Sequence, residues 1–469
     1  MNKLIPRLLA LLFVFFVAFV AKPSEVAAEQ SHFNGYLRIG LEQHFQHQPH
    51  INVYSTHIHV GIFVDGDFFV IEEIHTNTHF TIMPHNSFVA IATNGEFVFE
   101  LGHDGFALQL RCASGITNLG VRQYRGIIEF ARLNSAGITA INIIHLDEYL
   151  FSVVPSEMPA SWHMEALKAQ AVAARTFAMN RVVNSPRTPH YQLCDTVFSQ
   201  VYSGISREHE RTTYAVLSTS GLVLTHNGRL ITAAYSSCAG GFTANSEDVW
   251  AGGMPYLRAV AELYPSEQVP WERTITHSQL QQLLASNARN IGAITSVELA
   301  KNDVGRVMEF RIIGTNGVHT LERENIRGFF GSLEIGGGSL RSRVFTIAGT
   351  STSQVAEVLE HSVISANGTF FTNLQDNVVV MTAFGAQPLP STTSVLTAHG
   401  VQTLVNAPPP QTLQSIVTTS DYSFTLVGRG FGHGVGMGQY GARAMAENGH
   451  GFASILLHYY TDVLIVSVH

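Results

Sequence analysis

Charge is scarce in this chain. Across 469 residues Asp, Glu, Lys and Arg together make 13%, against 45% hydrophobic residues. So apolar a composition excludes an intrinsically disordered protein, which needs low hydrophobicity and high charge. Basic residues are in deficit, 27 Lys and Arg to 35 Asp and Glu, for a net charge of −8. A nucleic-acid binder carries a basic excess, so no nucleic-acid partner is expected. Cysteine is rarer still: Cys112, Cys194 and Cys238 are the three. That excludes a disulfide scaffold, and the odd number keeps at least one thiol out of any intrachain disulfide. Beyond the N-terminus no apolar run is long enough to span a bilayer. At ~150 residues per domain the length predicts about three domains, and two larger ones also fit.

The N-terminus carries an address. Lys3 and Arg7 precede an unbroken apolar run, Leu8–Ala21, and small residues follow at Val26-Ala27-Ala28. The run is shorter than the ~18–20 residues of a membrane-spanning helix and matches a signal-peptide core. A signal peptide over 1–28 is expected, the alternative being an uncleaved anchor. Either way the body is extracytoplasmic: secreted, in the cell wall or membrane-anchored.

The body reads as α+β, mixed and β-rich. Residues 29–140 form a β-rich lobe with strands at Tyr36–Leu41, Ile58–Val64 and Gly95–Leu101, each rich in β-branched and aromatic residues. His is abundant here, at positions 44, 47, 50, 57, 59, 75, 79 and 85. His57 and His59 share one strand face and invite a metal. Without a Cys or acid in register, solvated strand faces are the expectation, and no metal site is assigned. Residues 141–348 form a second region. Within it, a turn at Pro155–Pro159 precedes a central Ala-rich helix over Trp162–Val183, with Ser161 as N-cap and Leu167, Ala171, Ala174 and Ala178 on one face. Pro186 and Pro189 end it. Further on, a helix at Ser278–Ser286 and strands at Val307–Gly314 and Val344–Ala348 are expected. Residues 349–420, rich in Thr, Ser and Val, read as a β-rich insertion. Residues 421–469 carry a Gly-rich motif and a helix at Phe452–Tyr460.

Two segments carry chemistry. In the first, Glu157 stands between Pro155 and Pro159, among Val154, Met158 and Trp162. An acid held against apolar neighbours has its pKa raised, the condition for a general acid at neutral pH. A helix cap or an ion pair is the alternative role for that carboxylate. Lys168, Gln170 and Arg175 are polar exceptions in the helix that follows; a solvated face would also explain them. The second segment runs Gly428-Arg-Gly-Phe-Gly-His-Gly-Val-Gly-Met-Gly-Gln-Tyr-Gly-Ala442, glycine alternating with polar tips at His433, Gln439 and Tyr440. Gly436, Gly438 and Gly441 match a dinucleotide fingerprint, but no strand abuts the first and too little chain follows to build the sheet. No Gly-Lys-Ser/Thr follows either, which excludes a P-loop.

His145-Leu-Asp-Glu-Tyr-Leu-Phe-Ser-Val-Val-Pro-Ser-Glu-Met-Pro-Ala-Ser-Trp162 and Glu165-Ala-Leu-Lys-Ala-Gln-Ala-Val-Ala-Ala-Arg-Thr176 resemble the stage II sporulation protein D / LytB family. Its later blocks follow in order: Cys194-Asp-Thr to Gln200-Val-Tyr202, Tyr235–Gly241, Trp250–Tyr256, and Gly430–Ala442. The resemblance covers roughly 120–347 and 421–468. It implies an extracytoplasmic peptidoglycan protein of sporulation or cell-wall remodelling. Enzymes of the family are lytic transglycosylases acting on peptide-stripped glycan strands; other members are amidase enhancers. The family's catalytic acid falls on Glu157. Its groove-lining positions fall on Lys168, Gln170, Arg175, His433, Gln439 and Tyr440. Many members carry a His-Cys pair, part of a proposed zinc site, where this chain has Phe198-Ser199. Zinc is therefore expected to be absent, with a Cys194–Cys238 disulfide, or two buried thiols, in its place.

The expected function is a lytic transglycosylase with a glycan-binding groove, needing no cofactor. It would cleave the bond between N-acetylmuramic acid and N-acetylglucosamine to leave 1,6-anhydro ends. One acid suffices for that chemistry, whereas hydrolysis of the usual type needs two carboxylates. Glu165, Asp195, Glu247 and Asp248 are the candidates for a second, none in a comparable turn. The partners are peptidoglycan glycan strands, with a cell-wall amidase as a candidate and a membrane only if the signal segment is uncleaved. The rival reading is a non-catalytic cell-wall protein that stimulates an amidase; a His-rich metal carrier is the third.

Overall fold

The computed structural model describes residues 33–348 and 423–468, except 87, 102–106, 135–136, 185–187, 189, 265–268 and 332–339. Between 349 and 422 it describes the backbone of short strands. The signal segment, Pro186 and Pro189 lie outside the described residues. Two compact units result. One takes the chain up to Tyr235, residues 263–266, and the chain from Gly436; the other takes 236–262 and 267–435. The division therefore passes through the 141–348 stretch, and it parts the Gly-rich motif between Val435 and Gly436.

The first unit is organised on a seven-stranded sheet. Its strands are β1 (Tyr36–Gly40), β2 (His57–Val64), β3 (Asp67–His75), β4 (Leu108–Cys112), β5 (Ile127–Asn134), β6 (Gly137–His145) and β7 (Leu193–Cys194). They lie in the order β7-β1-β6-β5-β4-β2-β3. β6 is buried at every position but its last, His145, as its near-continuous apolar run requires of a strand covered on both faces. β2 alternates instead: Ile58 and Val60 are fully buried, while His57 and His59 turn to the other face. On β3, His75 pairs with His57 and Glu73 with His59. An acid does stand in register with the two histidines, contrary to expectation. The register of the hairpin supplies it, and spacing along one strand carries no trace of that.

β6 leads without a break into helix α1 (Leu146–Glu157). The Pro155–Pro159 turn expected from the sequence is thus partly helix. Pro155 sits in the last turn of α1, where its missing N–H costs the Phe151 carbonyl its helical donor; the Ser156 hydroxyl donates to the Ser152 carbonyl and the Met158 N–H to the Val154 carbonyl. Helix α2 spans Met164–Asn184, close to the expected range. It starts two residues late. Trp162 closes a turn onto Pro159, and the His163 ring, rather than Ser161, accepts the Glu165 N–H. Leu167, Ala171, Ala174 and Ala178 are fully buried, as the periodicity predicts, but so are Ala166, Ala169, Ala173 and Gln170. Small side chains allow this close approach on several sides. The partners are α1, α3 (Glu210–Leu217), α4 (Gln439–Glu447) and α5 (Phe452–Tyr459).

In the second unit the strand Ile294–Lys301 lies between Val307–Gly314 and Thr412–Val417 in a five-stranded sheet. Trp271–Thr276, Ser423–Arg429 and Val344–Ile347 form a second sheet. The helix His277–Ser286 begins with a capping box made by Thr276 and Gln279. Leu283, Val297, Leu299, Phe310, Ile312 and Leu426 share its core. The strands expected at 307–314 and 344–348 and the helix at 278–286 are present. Within 349–420 the chain forms β-hairpins, among them Glu360–Ser365 with Gly368–Asn373. No helix among the described residues is long and apolar enough to cross a membrane.

Candidate active site around Glu157

Glu157 is the last residue of α1, and its carboxylate is partly buried. One oxygen accepts the Val201 N–H at 3.1 Å. The other accepts the Gln439 side-chain amide at 3.3 Å. The same Gln439 nitrogen lies 3.4 Å from the Gln170 side-chain oxygen. Burial raises the Glu157 pKa, and the Val201 and Gln439 donors oppose it without cancelling it. Both donors favour the charged form, so the upward shift comes from desolvation. The result is a carboxyl group biased toward holding its proton.

Two adjacent helices and a segment far along the chain meet here. α1 supplies the acid, α2 supplies buried Gln170, and the first residue of α4 supplies Gln439. Gln170 Nε2 is buried with no hydrogen-bond partner, an unused donor next to the acid's own partner. Around them lies a polar relay. Tyr149 donates to Gln200 at 3.1 Å, and Gln200 donates to the Tyr235 hydroxyl at 2.9 Å. Both tyrosines have pKa values pushed far up, by burial first and by the Glu157 charge second.

Tyr440, next in the chain after Gln439, packs edge-on against Trp162 with ring centroids 5.0 Å apart. The Arg443 guanidinium lies over the Trp162 ring at 5.3 Å. Gly436 has a compelling local reason: φ is +71°, and a Cβ there would stand 2.0 Å from the Ala234 carbonyl oxygen. Met437 and Tyr460 both donate to that oxygen. The glycine run therefore serves tight packing that delivers Gln439, not a dinucleotide.

The other sequence candidates are placed differently. Lys168 pairs with Glu165 at 2.9 Å, and Glu165 also accepts the Phe452 N–H, which ties the start of α2 to the start of α5. Arg175 is 1% exposed and is held by Asp147 and the carbonyls of Val216 and Thr219. This reads as the strut of a helix bundle rather than a groove-lining cation. His433 belongs to the second unit, where its ring packs on Trp250 at 5.2 Å. Val201, whose contribution is a backbone N–H, was not singled out by sequence reasoning; Tyr440 was, but not its pairing with Trp162. Membership of the Gln200-Val-Tyr202 block was the only signal for Val201.

None of the four rival carboxylates shares a partner with Glu157. Glu165 is held by Lys168. Asp195 accepts from the Gln43 N–H, with Arg122 nearby. Glu247 is clamped by Arg258, and Asp248 accepts from Asn245 and Asn302.

The three cysteines are buried thiols and form no disulfide, so the expected Cys194–Cys238 bridge is absent. Cys194 is engaged with the hydroxyls of Ser199 and Thr196, at 3.4 and 3.2 Å. Cys238 lies in the other unit. One thiol flanked by two hydroxyls is a poor zinc donor set, so the residues present do not fit the metal site that the family resemblance implies.

The stage II sporulation protein family model matches residues 134–226. That stretch holds α1, α2 and Val201. The chain thus carries a stage II sporulation protein domain, which defines its class. Among individual relatives it is 33% identical over 318 residues to an amidase enhancer of Bacillus subtilis (strain 168), covering 68% of this chain and 40% of that protein. It is 35% identical over 174 residues to stage II sporulation protein D of the same organism, covering 34% and 51%. It is 28% identical over 340 residues to stage II sporulation protein D of Bacillus amyloliquefaciens, covering 69% and 75%. The chain spans well under two thirds of the two Bacillus subtilis proteins.

Proposed function

We propose that the protein is a lytic transglycosylase acting on peptidoglycan glycan strands outside the cytoplasmic membrane. The observation that carries this is the single desolvated carboxyl of Glu157, its pKa raised by burial, with no second carboxylate on its hydrogen-bond partners among the described residues. Protonated Glu157 gives its proton to the glycosidic oxygen between N-acetylmuramic acid and N-acetylglucosamine. The resulting carboxylate takes the proton from the muramic acid 6-hydroxyl, which attacks the anomeric carbon and closes a 1,6-anhydro ring. The nucleophile is already tethered to the reacting sugar, so its effective molarity is high. No water is consumed and Glu157 ends protonated, ready for the next bond. Gln170 and Gln439 offer amides to sugar hydroxyls and acetamides, and Trp162 with Tyr440 offers an apolar ring surface beside them. Lys168, paired with Glu165, joins such a groove only if the substrate reaches beyond this cluster. Peptide-stripped strands suit a site so poor in charge. The N-terminal apolar segment supports export.

The similarity to an amidase enhancer over 318 residues favours a second reading, a wall-binding protein that stimulates a cell-wall amidase without cutting sugar. Incubation with peptide-free glycan strands, followed by mass analysis of the ends, separates the two. New 1,6-anhydro ends support the enzyme; strands recovered intact support the enhancer. New reducing ends would mean hydrolysis and a second acid.

A further inference from the structure

We propose that the edge hairpin β2–β3 holds a zinc-like divalent metal ion through His57, His59 and Glu73. The ligand atoms of these three residues lie within 4.8 Å of one another. His57 Nε2 is 3.6 Å from one Glu73 carboxylate oxygen, and His59 Nε2 is 3.8 Å from the other. Ligands bound at about 2.0–2.1 Å around a tetrahedral ion stand about 3.3 Å apart. Small side-chain rotations, not backbone movement, would close the set.

Register builds the site. Ile58, Val60 and Ile74 face the core, so the period of two puts His57, His59, Glu73 and His75 together on the opposite face. His75 stacks on His57 with centroids 3.9 Å apart and flanks the three ligands, leaving water to complete the coordination. Two ring nitrogens, His57 Nε2 and His59 Nδ1, are buried without a hydrogen-bond partner. Buried nitrogens left unsatisfied are costly, and metal coordination satisfies Nε2 of His57 directly. Glu73 is half exposed, which leaves the ion a way in. Two imidazoles and one carboxylate suit zinc and its neighbours, whereas calcium and magnesium prefer all-oxygen sets. Strand β3 is the edge of the sheet, and an ion spanning β2 and β3 would pin it against fraying.

The test is a zinc titration of the metal-stripped full-length chain by competition with a chromophoric chelator, paired with a thermal melt and a cobalt spectrum. One saturable site is expected, with a raised Tm on zinc addition. Glu73→Gln, at an exposed position, and His59→Ala should each weaken binding by at least about 10–100-fold, since outer partners of metal ligands already matter that much. Circular dichroism confirms that both variants fold. Cobalt should give a tetrahedral band without thiolate charge transfer. No saturable binding, binding unchanged in both variants, or a thiolate band pointing to the cysteines would each overturn the proposal.

Discussion

Glu157→Gln tests the proposed chemistry most directly. The amide has the shape of the carboxyl group but cannot donate an acid proton. Val201 can still donate to the amide oxygen, while the Gln439 side chain must turn to present its own oxygen. Positioned general-acid groups contribute about 10²–10⁴-fold to rate, which is about 2.7–5.5 kcal/mol of barrier. Cleavage of peptide-free strands, followed by release of soluble fragments, should fall by that factor while strand binding persists. Stability should move the other way. The folded-state pKa of Glu157 is raised by burial, so the native state holds a proton that the unfolded state has lost. That contribution favours folding at low pH and fades as pH rises past the unfolded value of about 4.3. The amide carries no such penalty, so the variant should melt no lower than the parent at neutral pH and gain on it relative to pH 4. A folded variant that cleaves at nearly the parent rate would refute the mechanism. A variant of lower Tm at pH 7 would refute the desolvation argument.

Gln439→Ala removes a donor that lowers the Glu157 pKa. The alkaline limb of the cleavage pH profile, where the acid form is lost, should shift upward; a downward shift would contradict the geometry. Asp195 has its pKa pushed up to about 6 by burial, against the Gln43 N–H and Arg122. Its native form keeps a proton between about pH 4 and 6, so stability should fall across that window, by at most about 3 kcal/mol. Asp195→Asn should flatten the fall in thermal melts; an unchanged slope would show that another group titrates there. Chelation should leave strand cleavage at its original rate while lowering Tm through the β2–β3 hairpin. Cleavage lost on chelation and restored by one zinc per chain would mean that the site uses a metal.

Much of the domain is legible in the residues alone. β-branched and aromatic residues marked β2, and the periodic alanines marked α2, because side-chain period follows backbone period locally; β6 was not marked. Glu157 stood out through its apolar neighbours, and burial does raise its pKa. Local pattern could not say what meets the acid. Gln439 is 282 residues away, and Val201 contributes only a backbone N–H, which every residue but proline possesses. Arg175 looked like a ligand-holding cation because sequence does not reveal that Asp147 and two carbonyls already satisfy it. Cys194 and Cys238 looked like a pair because sequence does not show that each packs in its own compact unit. The same limit hid Glu73 opposite His59. One strand determines which residues share a face; which residues stand across from them is decided by hairpin register, and that exists only once the chain has folded.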